Sequence, residues 1–385
     1  MRVKPTRKWL PILAAVTLFT AYAVPALATE ARKAALVDNP MVTDDTDIVY
    51  FPGVLTTYTN MVFLDVMPDI DAVNGDAGLI VGKNVAFGFW VHRDARWHDI
   101  ADTADTFAIQ GMPEVYDLFD LFFAMKNGFG LRLSMSAGLD TRNVDKPDDT
   151  GGAAVVTELQ PGYSLDTGSY HGDFGVGLSL PYYEIANAGD TQYKTGWLPS
   201  FSLHHRSIIL PQADMAWVAD VLLTRRAYSV ETKGSGGVSG DVGRWETALV
   251  IGPRLRLPES LTLWVGVRLG LENLSGTLDD KDIPALTAVS FPGVMASAEI
   301  TLVDILHLRA GANYDVFWTV ADDSDGDTQQ RGMGQRFRWS TGIGVSPKSF
   351  QIDATISDNL YFNGPQMIGG NNPGFLGMIS AAYNW

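Results

Sequence analysis

The chain has 385 residues, with 28 Lys and Arg against 44 Asp and Glu, a formal net charge of −16, and no cysteine. The lack of cysteine excludes a disulfide scaffold, a thiolate metal site and a thiol nucleophile. The acidity argues against nucleic acid or an anionic lipid surface as a partner, and a mean hydropathy near zero is too polar for a bundle of membrane helices.

Residues 1–28 read as a secretory signal peptide. Arg2, Lys4, Arg7 and Lys8 form a basic start, Trp9 to Val24 is apolar apart from Pro11, and Ala26-Leu27-Ala28 is a small-x-small cleavage site. Cleavage after Ala28 is expected. The four basic residues of the leader then leave 24 cations against 44 anions, a net of −20. Export of this kind is of Sec type.

From residue 29 to 57 nothing alternates as a strand does. Asn39-Pro40 is followed by Asp44-Asp45-Thr46-Asp47-Ile48-Val49-Tyr50-Phe51-Pro52-Gly53. This acidic, aromatic segment resembles one near the start of the long-chain fatty-acid outer-membrane transporter family, and one in the related barrel shuttles of the Bacteroidetes-type secretion system. It departs from the family pattern at Phe51, where Asn precedes the Pro, and at Gly53, where the family has Ala. The match covers about a dozen residues. It implies an N-terminal plug, with Asn39, Pro40, Asp44, Asp45, Pro52 and Gly53 inside a barrel that takes up hydrophobic molecules. Without it, the segment is a periplasmic extension leading into the first strand.

Residues 58–385 alternate with period two, the mark of amphipathic strands. Leu261, Leu263, Val265, Val267, Leu269 and Leu271 share one face, and Thr262, Trp264, Gly266, Arg268, Gly270 and Glu272 the other. The same pattern recurs from Phe129 to Leu139, Phe174 to Leu180, Glu246 to Leu257, Leu306 to Val316 and Phe337 to Val345. Runs of about ten residues suit a tilted bilayer crossing better than a soluble strand. Small and charged residues on the second face suit a wet lumen, and lipid requires the sheet to close. The fold class expected is therefore all-β: a transmembrane, antiparallel, up-and-down barrel of about 16 strands, or 14 if the weak early strands belong to a plug.

Short turns are expected near Asn127-Gly128, Asp166 to Ser169, Pro211-Gln212, Pro258 to Ser260, Val303-Asp304 and Pro347-Lys348. Longer external loops are expected at Asp140 to Gly152, Asn187 to Gly196, Glu231 to Gly243, Ser275 to Pro284, Asp322 to Gln330 and Asn363 to Pro373. Ile100 to Ile109 could form a short external helix. The chain ends on an alternating strand with Tyr383 and Trp385 on one face, which resembles the signal read by the barrel-assembly machinery. Trp217, Trp245, Trp318 and Trp339 share the outward face, several near strand ends where aromatic girdles sit.

The inward face carries Arg132, Arg254, Arg256, Arg268, Arg309 and Arg338, together with Glu246, Glu272, Glu299, Asp315 and Asp353. These either form a constriction that favours anions or pair with one another to brace the wall or hold a plug. Asp323, Asp325 and Asp327 alternate like hard-cation ligands, but Gly326 is misplaced for a calcium loop and no Glu closes it, so a solvated loop is expected. His204 and His205 are adjacent on a strand and face opposite sides; His92, His98, His171 and His307 are isolated. No nucleophile and base are forced together, so no enzyme, no metal and no cofactor are expected. The expected function is passive uptake of small molecules across an outer membrane by a monomer, in contact with lipid and lipopolysaccharide. A diffusion porin for polar or anionic solutes and a non-conducting structural or secretion-associated barrel are the alternatives.

Overall fold

A computed structural model describes residues 29–58, 60–68, 73–91, 116–140, 150–187, 192–196, 200–212, 214–233, 239–257, 260–278, 281–322, 329–356 and 376–385. The strands are β1 (Met61–Pro68), β2 (Val73–Gly82), β3 (Val85–Val91), β4 (Tyr116–Met125), β5 (Phe129–Asp140), β6 (Thr150–Asp166), β7 (Tyr170–Asn187), β8 (Gln192–Gly196) and β9 (Ser200–Gln212). They continue as β10 (Met215–Lys233), β11 (Ser239–Leu257), β12 (Leu261–Leu278), β13 (Lys281–Val303), β14 (Leu306–Asp322), β15 (Gln329–Val345), β16 (Phe350–Ile356) and β17 (Leu376–Asn384). Before them stand a helix, α1 (Glu30–Ala35), and two 3-10 turns, Asp45–Val49 and Pro52–Thr57.

Strands adjacent in the chain pair antiparallel, with one exception. β8 and β9 each pair with both β7 and β10, so they are two lengths of one stave. The last strand pairs with the first, Met61 opposite Asn384 and Val66 opposite Ile379. Seventeen strands therefore make a closed antiparallel barrel of sixteen staves. Closure leaves no unpaired edge, the condition for a sheet to stand in hydrocarbon.

The alternation sorts residues as the period-two pattern requires. Val265, Val267, Leu269 and Leu271 are more than two-fifths exposed on the outer wall, while Trp264 is buried on the inner one. Trp217, Trp245, Trp318, Tyr383 and Trp385 are exposed on the outside. Trp217 and Trp385 lie at the short-turn end, whereas Trp245 and Trp318 lie far up their strands. That gives aromatic bands at two heights. The chain end is tied in: the Trp385 amide donates to the Asn60 carbonyl at 3.1 Å, and Tyr383 stacks on Trp385.

Several expected boundaries move. The turn expected at Pro211-Gln212 lies after Gln212 and that at Val303-Asp304 centres on Asp304-Ile305, whereas the turn at Pro347-Lys348 stands where expected, within residues 346–349. Gln192–Gly196, expected in a loop, is β8. Much of the expected loops Glu231 to Gly243 and Ser275 to Pro284 is strand, as is the Asp140 to Gly152 loop from Thr150 onward. The reason is length: β10 and β11 have 19 residues each and β13 has 23. A bilayer needs only about 9–11. Beyond the bilayer the hairpins keep pairing in water, where the hydrophobic pattern lapses but the backbone ladder does not. The expected helix at Ile100 to Ile109, the Asp323 to Asp327 loop and Asn363 to Pro373 lie outside the described residues.

Candidate functional site: a plug docked in the short-turn end of the barrel

Residues 29–57 fold into the lumen rather than extending from it. α1 is capped by the Thr29 hydroxyl, which accepts from the Arg32 amide. The first 3-10 turn is capped reciprocally. Asp44 accepts from the Thr46 amide, and the Asp47 side chain accepts from the Asp44 amide at 2.8 Å. Each cap satisfies backbone donors that would otherwise be orphaned inside the barrel.

The wall opposite the plug is carved by glycine. A side chain at Gly130 would strike Pro52, one at Gly175 would strike the Tyr50 carbonyl, and one at Gly311 would strike Val37 and the Leu36 backbone. Gly162, Gly266 and Gly342 likewise meet Pro52, Met41 and Ala35. Gly53 sits on the Gly128 carbonyl. The inward glycines of the strand pattern are thus seats for plug backbone. Apolar packing joins them: Ile48, Val49, Phe51, Val54 and Leu55 bury against Phe63, Trp90 and Phe122, and Met41 and Val42 against Val218, Val250 and Trp264.

Three polar networks clamp the plug around the wall. In the first, Arg32 pairs with Asp44 at 3.1 Å and Glu299 at 2.8 Å; Arg309 binds the same Glu299 at 2.6 Å and also Asp353. In the second, Arg206 binds Asp47 at 2.5 Å and Asp173 at 2.9 Å, and Lys33 binds Asp47 at 3.1 Å. The Arg206 guanidinium also lies over the Phe51 ring, 4.9 Å from its centre. In the third, Arg132 binds Asp120 at 2.8 Å and reaches Glu158, Gln160 and the Val49 carbonyl, while the Gln160 amide donates to the Tyr50 carbonyl at 2.7 Å. Arg132, Arg206 and Arg309 are all buried.

The plug carboxyls feel these surroundings. Burial alone would push Asp47 up, but Arg206 and Lys33 outweigh it and hold the group below its ordinary value. Asp45 has no such partner; burial first, then the Asp44 side chain and charge, push it well above the usual carboxylate range. Arg32 is held charged against the effect of burial by Glu299 and Asp44.

The anticipated lumen residues divide into three groups. Arg132 and Arg309 belong to the clamps. Arg268 lies 3.6 Å from Asp315, and Glu272 pairs with Arg244 at 3.0 Å. Arg254, Arg256 and Arg338 have no ion pair among the described residues. Arg254 and Arg256 sit by the short turns, and Arg338 higher on β15. The plug positions all lie inside the wall: Asn39 donates to Ser297 at 3.0 Å, Asp44 and Asp45 are buried, Pro40 lines a cavity, and Pro52 and Gly53 lie against Gly130, Gly162 and Gly128. His204 binds Asp220 at 2.9 Å inside, and His205 stacks on Phe174 outside. No group of three metal-ligating side chains is found among the described residues.

Arg32, Lys33, Asp173 and Arg206 escaped the sequence reading, and Asp47 entered it only as part of the acidic plug segment. The one sequence trace of them is the Asp44-x-x-Asp47 capping pattern and the parity that puts Arg206 and His204 on one face.

Burial on the inner face of β15 falls with height. On β15, Ser340, Gly342 and Gly344 are buried under the plug, whereas Arg336 and Arg338 are exposed on the same face. Among the described residues the upper inner wall is edged by Arg336, Arg338, Arg268, Glu272 and Glu246, with buried Thr224 and Leu274 among them. Where it meets the plug lies a cavity of about 260 Å³. Its apolar side is Val37, Phe51, Leu222, Val250 and Met295, and its polar side is Lys33, Arg206, Arg268, Arg338, Asp47 and Asp220.

No family model matches the chain, and no curated protein matches it. Among solved structures, the chain is similar to the Pseudomonas putida toluene transporter TodX, at 11% identity and a TM-score of 0.38, covering 89% of this chain and 95% of that one. It is also similar to the alcaligin outer-membrane receptor FauA of Bordetella pertussis, at 11% identity and a TM-score of 0.42, covering 77% and 60%. A third is the translocator domain of the autotransporter NalP of Neisseria meningitidis, at 13% identity and a TM-score of 0.32, covering 76% and 95%. The likeness is one of fold.

Proposed function

We propose that this chain is an outer-membrane barrel for passive uptake of small molecules, in which the N-terminal plug is the gate. One observation carries the reading: above the docked plug the inner wall bears exposed and half-buried charged side chains, and a cavity lies at the junction. The two aromatic bands and the apolar outer wall support placement in a membrane. The cavity joins an apolar side to four cations, of which Arg338 has no ion pair among the described residues while Lys33, Arg206 and Arg268 are matched by acids. That one cation beside an apolar side suits small solutes with a hydrophobic body and an anionic head. The terminal Tyr383 and Trp385 strand supports assembly by the barrel machinery, and the continuous lipid-facing wall supports a monomer in contact with lipopolysaccharide.

The test is planar-bilayer conductance of the refolded chain beginning at Thr29, paired with calorimetric binding of a medium-chain carboxylate. Low resting conductance with saturable binding supports a gated uptake barrel. Steady, large, ion-selective openings without binding replace it by a diffusion porin, the reading that the exposed Arg336 and Arg338 favour. Silence together with no binding replaces both by a structural or secretion-associated barrel.

A further inference from the structure

The outer wall carries a polar trio close to the short-turn end. The outward row of β9 runs Phe201, Leu203, His205, Ser207 and Ile209, opposite in parity to the buried Ser202, His204, Arg206 and Ile208. Its apolar pattern is thus broken at two successive outward positions, both half-buried. Tyr170 on β7 is the third member. Around the trio Leu203, Phe174, Ile209 and Trp217 are each two-fifths or more exposed. Ile209 is the register partner of both Tyr170 and the girdle residue Trp217, and Ser207 is the partner of Gly172 and Ala219. Ser207 therefore stands two residues, about 7 Å along the strand, inside the aromatic band. Polar side chains are costly on a lipid face and mark function there more often than elsewhere.

The geometry within the trio is that of an activated hydroxyl. Ser207 Oγ lies 2.7 Å from His205 Nε2, and His205 Nδ1 lies 3.0 Å from the Asp173 backbone carbonyl. A carbonyl can only accept, so Nδ1 carries the proton of the neutral ring and Nε2 presents its lone pair to the Ser207 hydroxyl. Stacking on Phe174, with ring centres 3.9 Å apart and planes at 20°, fixes the imidazole. A nucleophile, a base within hydrogen-bond reach and a third group that orients the base are the parts that acyl transfer needs. The Tyr170 hydroxyl lies 3.3 Å from Ser207 Oγ and supplies a donor for the oxyanion. It reaches there because Gly172 has no side chain: a Cβ would stand 2.5 Å from the Tyr170 hydroxyl. A second pair, Ser346 and His307 at 2.7 Å, lacks this arrangement. It lies on the inner side, and its Nδ1 meets the Thr301 hydroxyl, which donates or accepts and so fixes no tautomer.

We propose that Ser207 and His205 form an acyl-ester hydrolase site open to the bilayer, and that its substrate is a glycerophospholipid of the leaflet at the short-turn end. Aromatic bands mark the headgroup boundary, and the ester linkages of such a lipid lie just inside it, at the height of Ser207. Ser207 Oγ adds to the acyl carbonyl carbon while its proton passes to His205 Nε2. The bond from that carbon to the glycerol oxygen breaks, and the same proton goes to the departing alkoxide. Water then adds to the acyl carbon, giving a proton to His205, and the bond to Ser207 Oγ breaks as Oγ takes that proton back. One water is consumed, and a lysophospholipid and a fatty acid are released.

The test uses the refolded chain beginning at Thr29 in detergent micelles containing phosphatidylethanolamine. Fatty-acid release is read by mass spectrometry, and an alkyl fluorophosphonate labels the reactive serine. We expect fatty-acid release and a label that peptide mapping places on Ser207. Ser207→Ala should abolish both, and His205→Asn should slow both by about a hundredfold or more. Ser346→Ala should keep the parent rate. Heat-modifiable mobility reports whether each barrel is folded. An unlabelled Ser207 in a folded parent barrel overturns the proposal and leaves the trio as polar groups that satisfy one another in lipid. That result is read on the parent chain, so it stands even where a variant does not fold. Fatty-acid release that survives Ser207→Ala overturns the proposal too, as does labelling of Ser207 without cleavage of the phospholipid.

Discussion

Arg206 on β9 and Asp47 in the plug meet at 2.5 Å, and the same guanidinium holds Asp173 on β7 at 2.9 Å. One wall side chain thus joins the plug to a neighbouring stave. Removing one partner of a buried pair leaves the other uncompensated, at a cost of roughly 3–5 kcal/mol. We expect Arg206→Met to undock the plug without unfolding the barrel. The change appears as rapid trypsin cutting at Lys33 and higher resting conductance, while heat-modifiable mobility stays native. If conductance and cutting stay at the parent level, Arg206 is not a clamp.

The glycine seats offer a steric test that leaves charge alone. A Cβ at Gly130 would stand 2.2 Å from the Pro52 carbonyl carbon, inside any allowed contact. The neighbour is backbone and cannot swing away as a side chain could. Gly130→Val should displace the plug to the same degree as the loss of Arg206, and valine is otherwise favourable in a strand. Gly168→Ala is the control. Gly168 lies in a turn with nothing nearby, and its positive φ makes the substitution strained but unrelated to the plug. A plug displaced by the control and not by Gly130→Val would refute the seat.

Acid should loosen the second clamp. Asp47 titrates below its ordinary value because Arg206 and Lys33 outweigh its burial. A carboxyl with a depressed folded value contributes stability that is fully present above the unfolded value of about 3.9 and is lost as pH falls through the folded value. The share of plug protection that Asp47 supplies should therefore be steady above about pH 4 and decline below it. Asp47→Asn should lower the neutral plateau and flatten this acid limb, measured by plug cutting with an acid-active protease. An acid limb of parent size in Asp47→Asn would assign it to other groups.

The barrel was legible in the sequence because lipid and lumen impose opposite demands at alternate residues. Leu261 to Glu272 carries its inner and outer faces on its surface. The count of sixteen staves followed from the same pattern, although the break between β8 and β9 and the strand growth past the bilayer did not. Above the membrane both faces are wet, so alternation carries no information about where a hairpin ends. The plug segment was visible in outline through its Asp-rich, aromatic stretch and its Asn39-Pro40 and Pro52-Gly53 steps. Its clamps were hidden because Arg32–Glu299 and Arg206–Asp47 join residues 267 and 159 positions apart. Only the closed wall brings them together. The alternation places the inward glycines on the lumen face; that they are seats required the plug to be placed.

The terminal strand gives an assembly prediction. Trp385 donates its amide to Asn60 at the start of β1 and stacks against Tyr383. These contacts help close the barrel between its last and first staves. Removing Trp385 should reduce assembled barrel in membranes several-fold, with a smaller effect on refolding in detergent, where no machinery reads the strand. Equal loss in both settings would place the role of Trp385 in closure alone.

Ion selectivity should follow the free cations of the upper lumen. Arg338 lies on the exposed inner face and has no ion pair among the described residues, whereas Arg268 has Asp315 at 3.6 Å. An unpaired charge biases the ions beside it, and a paired one is largely cancelled at distances beyond the Debye length of about 8 Å. In a barrel opened by Gly130→Val, Arg338→Gln should shift the reversal potential under a salt gradient towards cations, and Arg268→Gln should shift it less. Both shifts should shrink at about 1 M salt, where screening falls to about 3 Å. The reverse ranking would mean that the Arg268–Asp315 pair is open in the membrane and that the narrowest point lies at β12, not β15.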